Sequence, residues 1–144
     1  MPLELLTLST DADYNRHFCR TYCSAPIVTH DGFEVEFRPD DFAHCCYESS
    51  RRDGMKDKFS QRRAERLDWI SEILQDPSIP MHLGWDNAKK RAATDRRVSL
   101  LAAQNYVVVV RMTNRREQQA RFLTAFVIDN PKVARKIATN PAWK

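Results

Sequence analysis

Histidine and arginine are the side chains of this chain best suited to chemistry on a phosphate group. Histidine titrates near neutral pH and can carry a proton, and the arginine guanidinium offers two parallel donors to phosphate oxygens. Of the four histidines, His44 lies in a short predicted helix and His82 directly precedes a basic stretch. His30 falls in a predicted turn and His17 in the first predicted helix. Taken alone, a histidine such as His44 is more often a satisfied or surface residue, and the basic stretch after His82 makes that residue a candidate for proton transfer.

The basic side chains are concentrated in two segments. Residues 51 to 66 contain seven basic residues against three acidic ones, and residues 89 to 97 contain five against one. Such clusters predict either a surface that binds a polyanion or an ordinary solvated surface. The candidate nucleic-acid-binding residues are Lys58, Arg62, Lys89, Lys90, Arg91, Arg111 and Arg121.

The segment from Tyr106 to Asp129 predicts a β-hairpin. Two apolar runs flank the polar turn TNRREQQ, and the first run is rich in valine. Strict alternation places Phe122, Thr124 and Phe126 on one face of the second strand, with Arg121 on the other. Thr124 would then lie among aromatic rings, where its hydroxyl needs a hydrogen-bond partner.

The other patterns predict an α+β fold, with helices packed on a mainly antiparallel sheet. The chain length suits a single domain, 1–144, with a helix-rich half (1–75) that contains one hairpin and a strand-rich half (76–144) that ends in a helix. In the first half we predict a helix after Thr10, a hairpin at 27–37, a short helix carrying His44, and a helix from Ser60 to Gln75. In the second half we predict an extended segment at 79–85, a loop at 87–97, a strand at 98–103, the hairpin, and a helix beginning at Asn130 and Pro131.

Metal binding, export and membrane insertion are not favoured by the sequence. Cys19 and Cys23 could hold zinc with His17 or His44, but no CxxC pair accompanies them, so we expect reduced cysteines and neither metal nor cofactor. The N-terminal segment lacks the basic start and long apolar core of a signal peptide, and it is too short to span a membrane. The expected location is the cytoplasm.

The order of several segments resembles a known family. These segments are FRPDDFAHCCYES, KFSQRRAERLDWISEIL, YVVVVRMT and RFLTAFVID, within the region from Ile27 to Asp129. Together they resemble the phage-associated branch of the barnase, EndoU, colicin and RelE-like nuclease superfamily, whose members are small metal-independent RNases. Members often carry tyrosine after the Thr-Ala pair, where this chain has Phe126.

The resemblance implies a nuclease fold and puts His44, Arg63 and Thr124 at motif positions. The implied function is a prophage or toxin-system endoribonuclease that leaves a 2′,3′-cyclic phosphate, with RNA as substrate and an immunity or antitoxin protein as a possible partner. His82 is a second candidate for proton transfer; otherwise that step passes through water. The alternative is a catalytically inactive module of the same fold that binds RNA or a protein. The residue at Phe126 favours this alternative.

Overall fold

The computed structural model of the protein describes residues 3–48, 58–86 and 88–143. Its helices are α1 (Asp11–Phe18), α2 (Asp41–Cys46), α3 (Gln61–Ala64), α4 (Leu67–Gln75) and α5 (Pro131–Thr139). Its strands are β1 (Ile27–Val28), β2 (Glu34–Glu36), β3 (Tyr47–Glu48), β4 (Lys58–Phe59), β5 (Met81–Asp86), β6 (Arg91–Leu101), β7 (Tyr106–Asn114) and β8 (Gln119–Val127). A π-helical turn follows α1 at Cys19–Cys23, and a 3-10 turn joins β6 to β7 at Ala102–Gln104.

Within the described residues the main sheet has six strands in the order β1-β2-β8-β7-β6-β5. Neighbouring strands are antiparallel except β2 and β8, which are parallel. Strands β3 and β4 form a separate antiparallel pair. The fold is therefore α+β with a mostly antiparallel sheet, as the sequence predicted. Because β2 pairs with β8, the two halves of the chain contribute to one sheet.

Apolar residues cover both faces of the sheet. The larger core lies on the face covered by α1, α2 and α4, and it includes the buried rings of Tyr14, Phe18 and Phe122. On the opposite face α5 covers a smaller cluster, formed by Val98, Leu100, Val107 and Ile128 with Ala134 and Ile137 of the helix. We call this second face the α5 face.

The predicted helix starts are confirmed by their capping bonds. The side chain of Thr10 accepts a bond from Asp13 N (3.1 Å), and that of Ser60 accepts one from Arg63 N (3.3 Å). Asn130 caps α5 in the same way, with proline at the first helical position. These local signals were sufficient to locate the starts of three helices.

The single helix predicted from Ser60 to Gln75 is wrong, because α3 and α4 are separate. Leu6 N donates to Glu65 O at 2.7 Å, so that carbonyl is used by the N-terminal segment. Arg66 has φ −105 and ψ 12, and Trp69 N donates to Arg66 O, one residue short of the α-helical spacing. A contact from a distant segment therefore accompanies the break.

The loop predicted at 87–97 is also wrong over most of its length, since Arg91 to Arg97 belong to β6. The first residues of β6 pair with the last residues of β5, Gly84 opposite Ala93 and Asp86 opposite Arg91. The next β5 pair is Leu83 opposite Arg97, so residues 94–96 form a bulge. The charged residues had suggested a loop, but a hairpin end accepts charged side chains on its solvent faces.

A second bulge changes the faces predicted for β8. Val109 pairs with Thr124 and Val110 pairs with Phe122, so Leu123 is an extra residue. Phe122 lies in the larger core, whereas Thr124 shares the α5 face with its partner Val109. The prediction that Phe122 and Thr124 share a face is therefore wrong, and Arg121 shares the face of Thr124 instead.

Candidate functional site

Helix α2 lies along the edge of β8 that β2 leaves open, since β2 pairs only with residues 119–121. Two side chains of β8 hold it there. Arg121 Nη2 donates to Asp41 Oδ1 at 3.3 Å, and Thr124 Oγ1 donates to His44 O at 3.1 Å. Asp41 is fully buried. The two bonds fix the first and last turns of α2 against the strand, and His44 itself is exposed.

The Thr124 hydroxyl acts on the backbone of His44. The last carbonyl groups of a helix have no N–H donor within the helix, so they need donors from elsewhere. In α2, Ala43 O accepts from Tyr47 N, Cys46 O accepts from Ser60 N, and His44 O accepts from Thr124. The hydroxyl hydrogen of Thr124 is therefore used to fix the residue that carries the candidate imidazole. This contact supplies the partner that the sequence said the hydroxyl needed.

Arg63 reaches the strand that begins directly after α2. Its Nη1 donates to Tyr47 O at 3.4 Å, and its Nε lies 3.3 Å from Glu48 Oε1. The Arg63 side chain is 17% exposed and that of Glu48 is 40% exposed. Arg63, His44 and Thr124 are thus brought to one region by α3, α2 and β8. Glu48 belongs to this region but had no sequence signal, because nothing local announces a two-residue strand after a helix.

The other predicted residues of the first basic segment lie near the same edge or outside the described residues. Arg62 Nη1 forms an ion pair with Asp129, just beyond β8. Lys58 is exposed in β4. Residues 51–57 of this segment lie outside the described residues.

The structure does not bring His82 to the other three candidates. His82 lies in β5 at the far side of the sheet, where its Nδ1 is 3.1 Å from Asn140 O and its backbone bridges to Ala142. Three strand spacings of about 4.8 Å separate β5 from β8, which amounts to about 14 Å. Proton transfer at a single phosphate cannot extend over that distance.

The residues between His82 and Thr124 are apolar. Cross-strand pairing runs from His82 to Val98, from Val98 to Val109, and from Val109 to Thr124. Val98 and Val109 belong to the cluster under α5. An apolar surface therefore separates the two candidate histidines.

Three arginines form a row across the sheet. Arg96 of β6 pairs directly with Arg111 of β7, and Arg111 pairs directly with Arg121 of β8. We call these three residues the arginine row. Paired residues share a face, so the row lies on the α5 face, two residues along β7 from Val109. Arg111 and Arg121 were among the predicted nucleic-acid-binding residues, and Arg96 belongs to the second basic segment, but the alignment of the three residues became visible only in the sheet.

The predicted basic residues of the second segment border the end of the row. Lys89 and Lys90 lie in the β5–β6 turn and Arg91 begins β6. An open cleft of about 480 Å³ at this hairpin end is lined by Asp86, Lys89, Arg91, Ala92, Ala93, Thr94, Asp95 and Arg96. Through Arg96 the cleft is continuous with the arginine row.

A larger cleft of about 600 Å³ lies on the other side of α2. Asp11, Asp40, Ala43 and Tyr47 are among its lining residues. Tyr47 Oη donates to Asp11 Oδ2 at 3.0 Å, and this bond raises the pKa of Tyr47 above its usual value. Its acidic border suits groups that donate hydrogen bonds and does not suit a phosphate.

Within the described ranges, no group of three or more His, Cys, Asp or Glu side chains is arranged to hold a metal ion. Burial and the neighbouring Cys19 thiol raise the pKa of Cys23 to about 11, so Cys23 is a thiol at neutral pH. No helix of the described part of the chain is long and apolar enough to cross a membrane.

No protein-family model, curated protein or solved structure matches the chain. The nuclease resemblance therefore stays a prediction from the sequence motifs.

Proposed function

We propose that the protein is a metal-independent endoribonuclease related to the barnase, EndoU, colicin and RelE-like superfamily, with its active site at the C-terminal end of α2. The observation that carries the proposal is the bond from Thr124 to His44 O. This bond fixes the backbone of an exposed histidine beside β8, and the face of β8 that carries Thr124 also carries the arginine row.

The proposed reaction is an internal transfer at the RNA phosphate. The ribose 2′-oxygen attacks phosphorus, the bond from phosphorus to the 5′-oxygen breaks, and a 2′,3′-cyclic phosphate forms. The Glu48 carboxylate takes the 2′-hydroxyl proton, and the His44 imidazolium gives a proton to the leaving 5′-oxygen. Water then returns both groups to their starting states. Glu48 replaces His82 in this scheme because it lies beside Arg63, whereas His82 lies at the far edge of the sheet.

Arg63 and Thr124 have different parts in the proposal. The Arg63 guanidinium, held by Glu48 and Tyr47 O, stabilises negative charge that develops on the phosphate. Thr124 is a positioning residue, because its hydroxyl hydrogen is already donated to His44 O.

The second candidate function is a binding module without catalytic activity. The observation that favours it is that Arg63 and Thr124 both make contacts within the protein, which a purely structural role also explains. Such a module would hold RNA, or an antitoxin-like protein partner, without cutting it.

The test is end-group analysis of an oligoribonucleotide incubated with the protein, with and without EDTA. We expect cleavage that survives the chelator and ends in a cyclic phosphate. His44→Ala should lower the rate by about 10² to 10⁴, as for loss of a general acid, with RNA binding nearly unchanged. His82→Ala is the matched control, because it removes an imidazole at the far edge of the sheet and should retain most activity.

Three results would count against the nuclease. Cleavage that requires a metal would exclude the proposed chemistry. Equal losses for the two histidine variants would separate the activity from α2. Binding of RNA without any cleavage would favour the binding module.

A further inference from the structure

We propose that the arginine row is a track for the phosphates of single-stranded RNA, which crosses the strands from the β5–β6 turn toward α2. This inference rests on the proposed function in taking RNA as the ligand. It goes beyond that function by naming the strandedness of the substrate and the direction in which it lies across the sheet.

The three residues of the arginine row are aligned across the sheet. Arg96, Arg111 and Arg121 are direct cross-strand partners, so their backbones are separated by two strand spacings, or about 10 Å in all. The row therefore runs perpendicular to the strands. Sequence positions 96, 111 and 121 are far apart, and only this register places the three arginines opposite one another on neighbouring strands.

Like charges directly opposite each other destabilise a sheet by about 0.2 to 1 kcal/mol for each pair. The row contains two such pairs. Cross-strand pairing therefore gives no reason for arginine at positions 96 and 111, whereas binding of a run of anions along the surface does. Arg121 also has a structural role as the partner of the buried Asp41.

Acidic neighbours hold two of the three arginines in place. Arg121 Nη2 donates to the buried Asp41, and Arg111 Nε lies 3.4 Å from Asp95 Oδ2. Each contact involves one nitrogen of the guanidinium group. An arginine offers five N–H donors, so these contacts orient the side chains and leave donors for a ligand. At its other end the row meets Glu36, which is paired with Arg38 at 3.2 Å.

The donors of the row are incompletely satisfied by the protein. Among the described residues, Arg96 Nε and Arg121 Nε are buried without a hydrogen-bond partner, and because they are buried a surface phosphate would contact the outer guanidinium nitrogens instead. Arg96 Nη1 donates to Trp85 O at 3.3 Å. Gly84 also suits this position, since a Cβ there would lie 2.8 Å from Arg96 Cβ. The sheet is thus built to accommodate Arg96 closely.

The row leads to the proposed active site. Arg121 and Thr124 lie on the same face of β8, three residues apart, because their partners Arg111 and Val109 are two residues apart on β7. Arg121 contacts the first turn of α2 and Thr124 contacts the last. A phosphate chain that follows the row therefore reaches the first turn of α2, three residues before His44. At the opposite end, the cleft lined by Lys89 and Arg91 extends the cationic surface.

A single line of cations matches one phosphate chain. A duplex presents two chains on either side of a groove, and RNA duplexes are recognised through contacts that span successive grooves. Non-specific binders of single strands use a positively charged path that follows one backbone. The geometry of the arginine row fits the second mode.

The test is binding of a fluorescent oligonucleotide of about 12 nucleotides, a length within the usual site sizes for single strands. Every ribose is 2′-O-methylated, so the ligand cannot be cut. Loss of two phosphate contacts in Arg96→Gln/Arg111→Gln should reduce the slope of log affinity against log salt by about 1.4 and weaken binding about 25-fold at 0.1 M salt. Arg16→Gln is the matched control, because Arg16 is 64% exposed and ion-paired with Asp13, as Arg111 is 57% exposed and paired with Asp95.

A charge change of opposite sign guards against loss of folding as the explanation. Asp95→Asn removes a negative charge beside Arg111 and should tighten binding, a direction that misfolding does not produce. A duplex of the same sequence should bind more weakly than the single strand.

Several outcomes would overturn the track. They are equal salt slopes for the row variant and Arg16→Gln, equally tight binding of duplex and single strand, and binding of phosphatidylserine vesicles in place of the oligonucleotide. The result for the track can be distinguished from the result for the proposed nuclease activity. Row-dependent binding without RNA cleavage would leave the track standing and reject the nuclease, and cleavage by the row variant with unchanged KM would do the reverse.

Discussion

Replacing Thr124 by valine separates a positioning role from direct contact with substrate. Valine keeps nearly the same shape but removes the donor to His44 O, which lies 3.1 Å from the hydroxyl. A neutral hydrogen bond contributes about 1 kcal/mol net, and this one is near the surface, where water can partly replace it. We therefore expect Thr124→Val to lower the free energy of unfolding by about 1 kcal/mol, which corresponds to a fall in Tm of about 2 to 4 °C for a chain of this size.

The same substitution should affect the rate more than binding. If His44 is displaced by the loss of its backbone anchor, kcat should fall about tenfold, equal to about 1.4 kcal/mol, while KM stays the same. Thr124→Ser restores the hydroxyl and should restore most of the rate. Thr113→Val provides the control, because Thr113 is an exposed threonine near the end of the neighbouring strand β7.

Thermal unfolding and steady-state kinetics on the same samples test this reasoning. A variant as stable as the original would show that the bond contributes nothing to holding α2. A higher KM with unchanged kcat would show that Thr124 binds the substrate and would reject the positioning role.

Two further predictions concern stability. Arg97 is fully buried and its Nη1 donates to Asp31 Oδ2 at 2.8 Å; burial alone would raise the pKa of Asp31, but the bond from Thr29 and the charge of Arg97 lower it below the usual 3.8. The ion pair therefore stabilises the folded state above pH 3.8, and this stabilisation is lost as the pH falls through the lower pKa that Asp31 has in the folded state. After allowance for the 31% exposure of Asp31, Asp31→Asn should lower the free energy of unfolding by about 2 kcal/mol at pH 7 and by much less in acid. Urea unfolding at several pH values tests this prediction. Gly84→Ala would place a Cβ 2.8 Å from Arg96 Cβ, so it should lower the free energy of unfolding by about 1 to 3 kcal/mol. It should also weaken oligonucleotide binding, because Arg96 is displaced. A variant with unchanged stability and affinity would contradict the close packing.

The sequence by itself determined the features that depend on neighbouring residues. Thr10, Ser60 and Asn130 cap helices where their side chains predicted, because a capping bond closes within three residues. The hairpin of β7 and β8 also follows from local signals, two apolar runs around a polar turn. The residue types of the candidate site could also be read from the sequence, because they do not depend on contacts between distant segments.

Only the tertiary structure decided which of those residues meet. The extra residue Leu123 rotates Thr124 onto the face of Arg121 and away from Phe122, and strict alternation cannot foresee a bulge. The strand pairing puts His82 about 14 Å from Thr124 and aligns Arg96 with Arg111. Periodicity in a sequence reports which positions of one segment share a face, but register and contact between segments are set by the packing of the whole sheet.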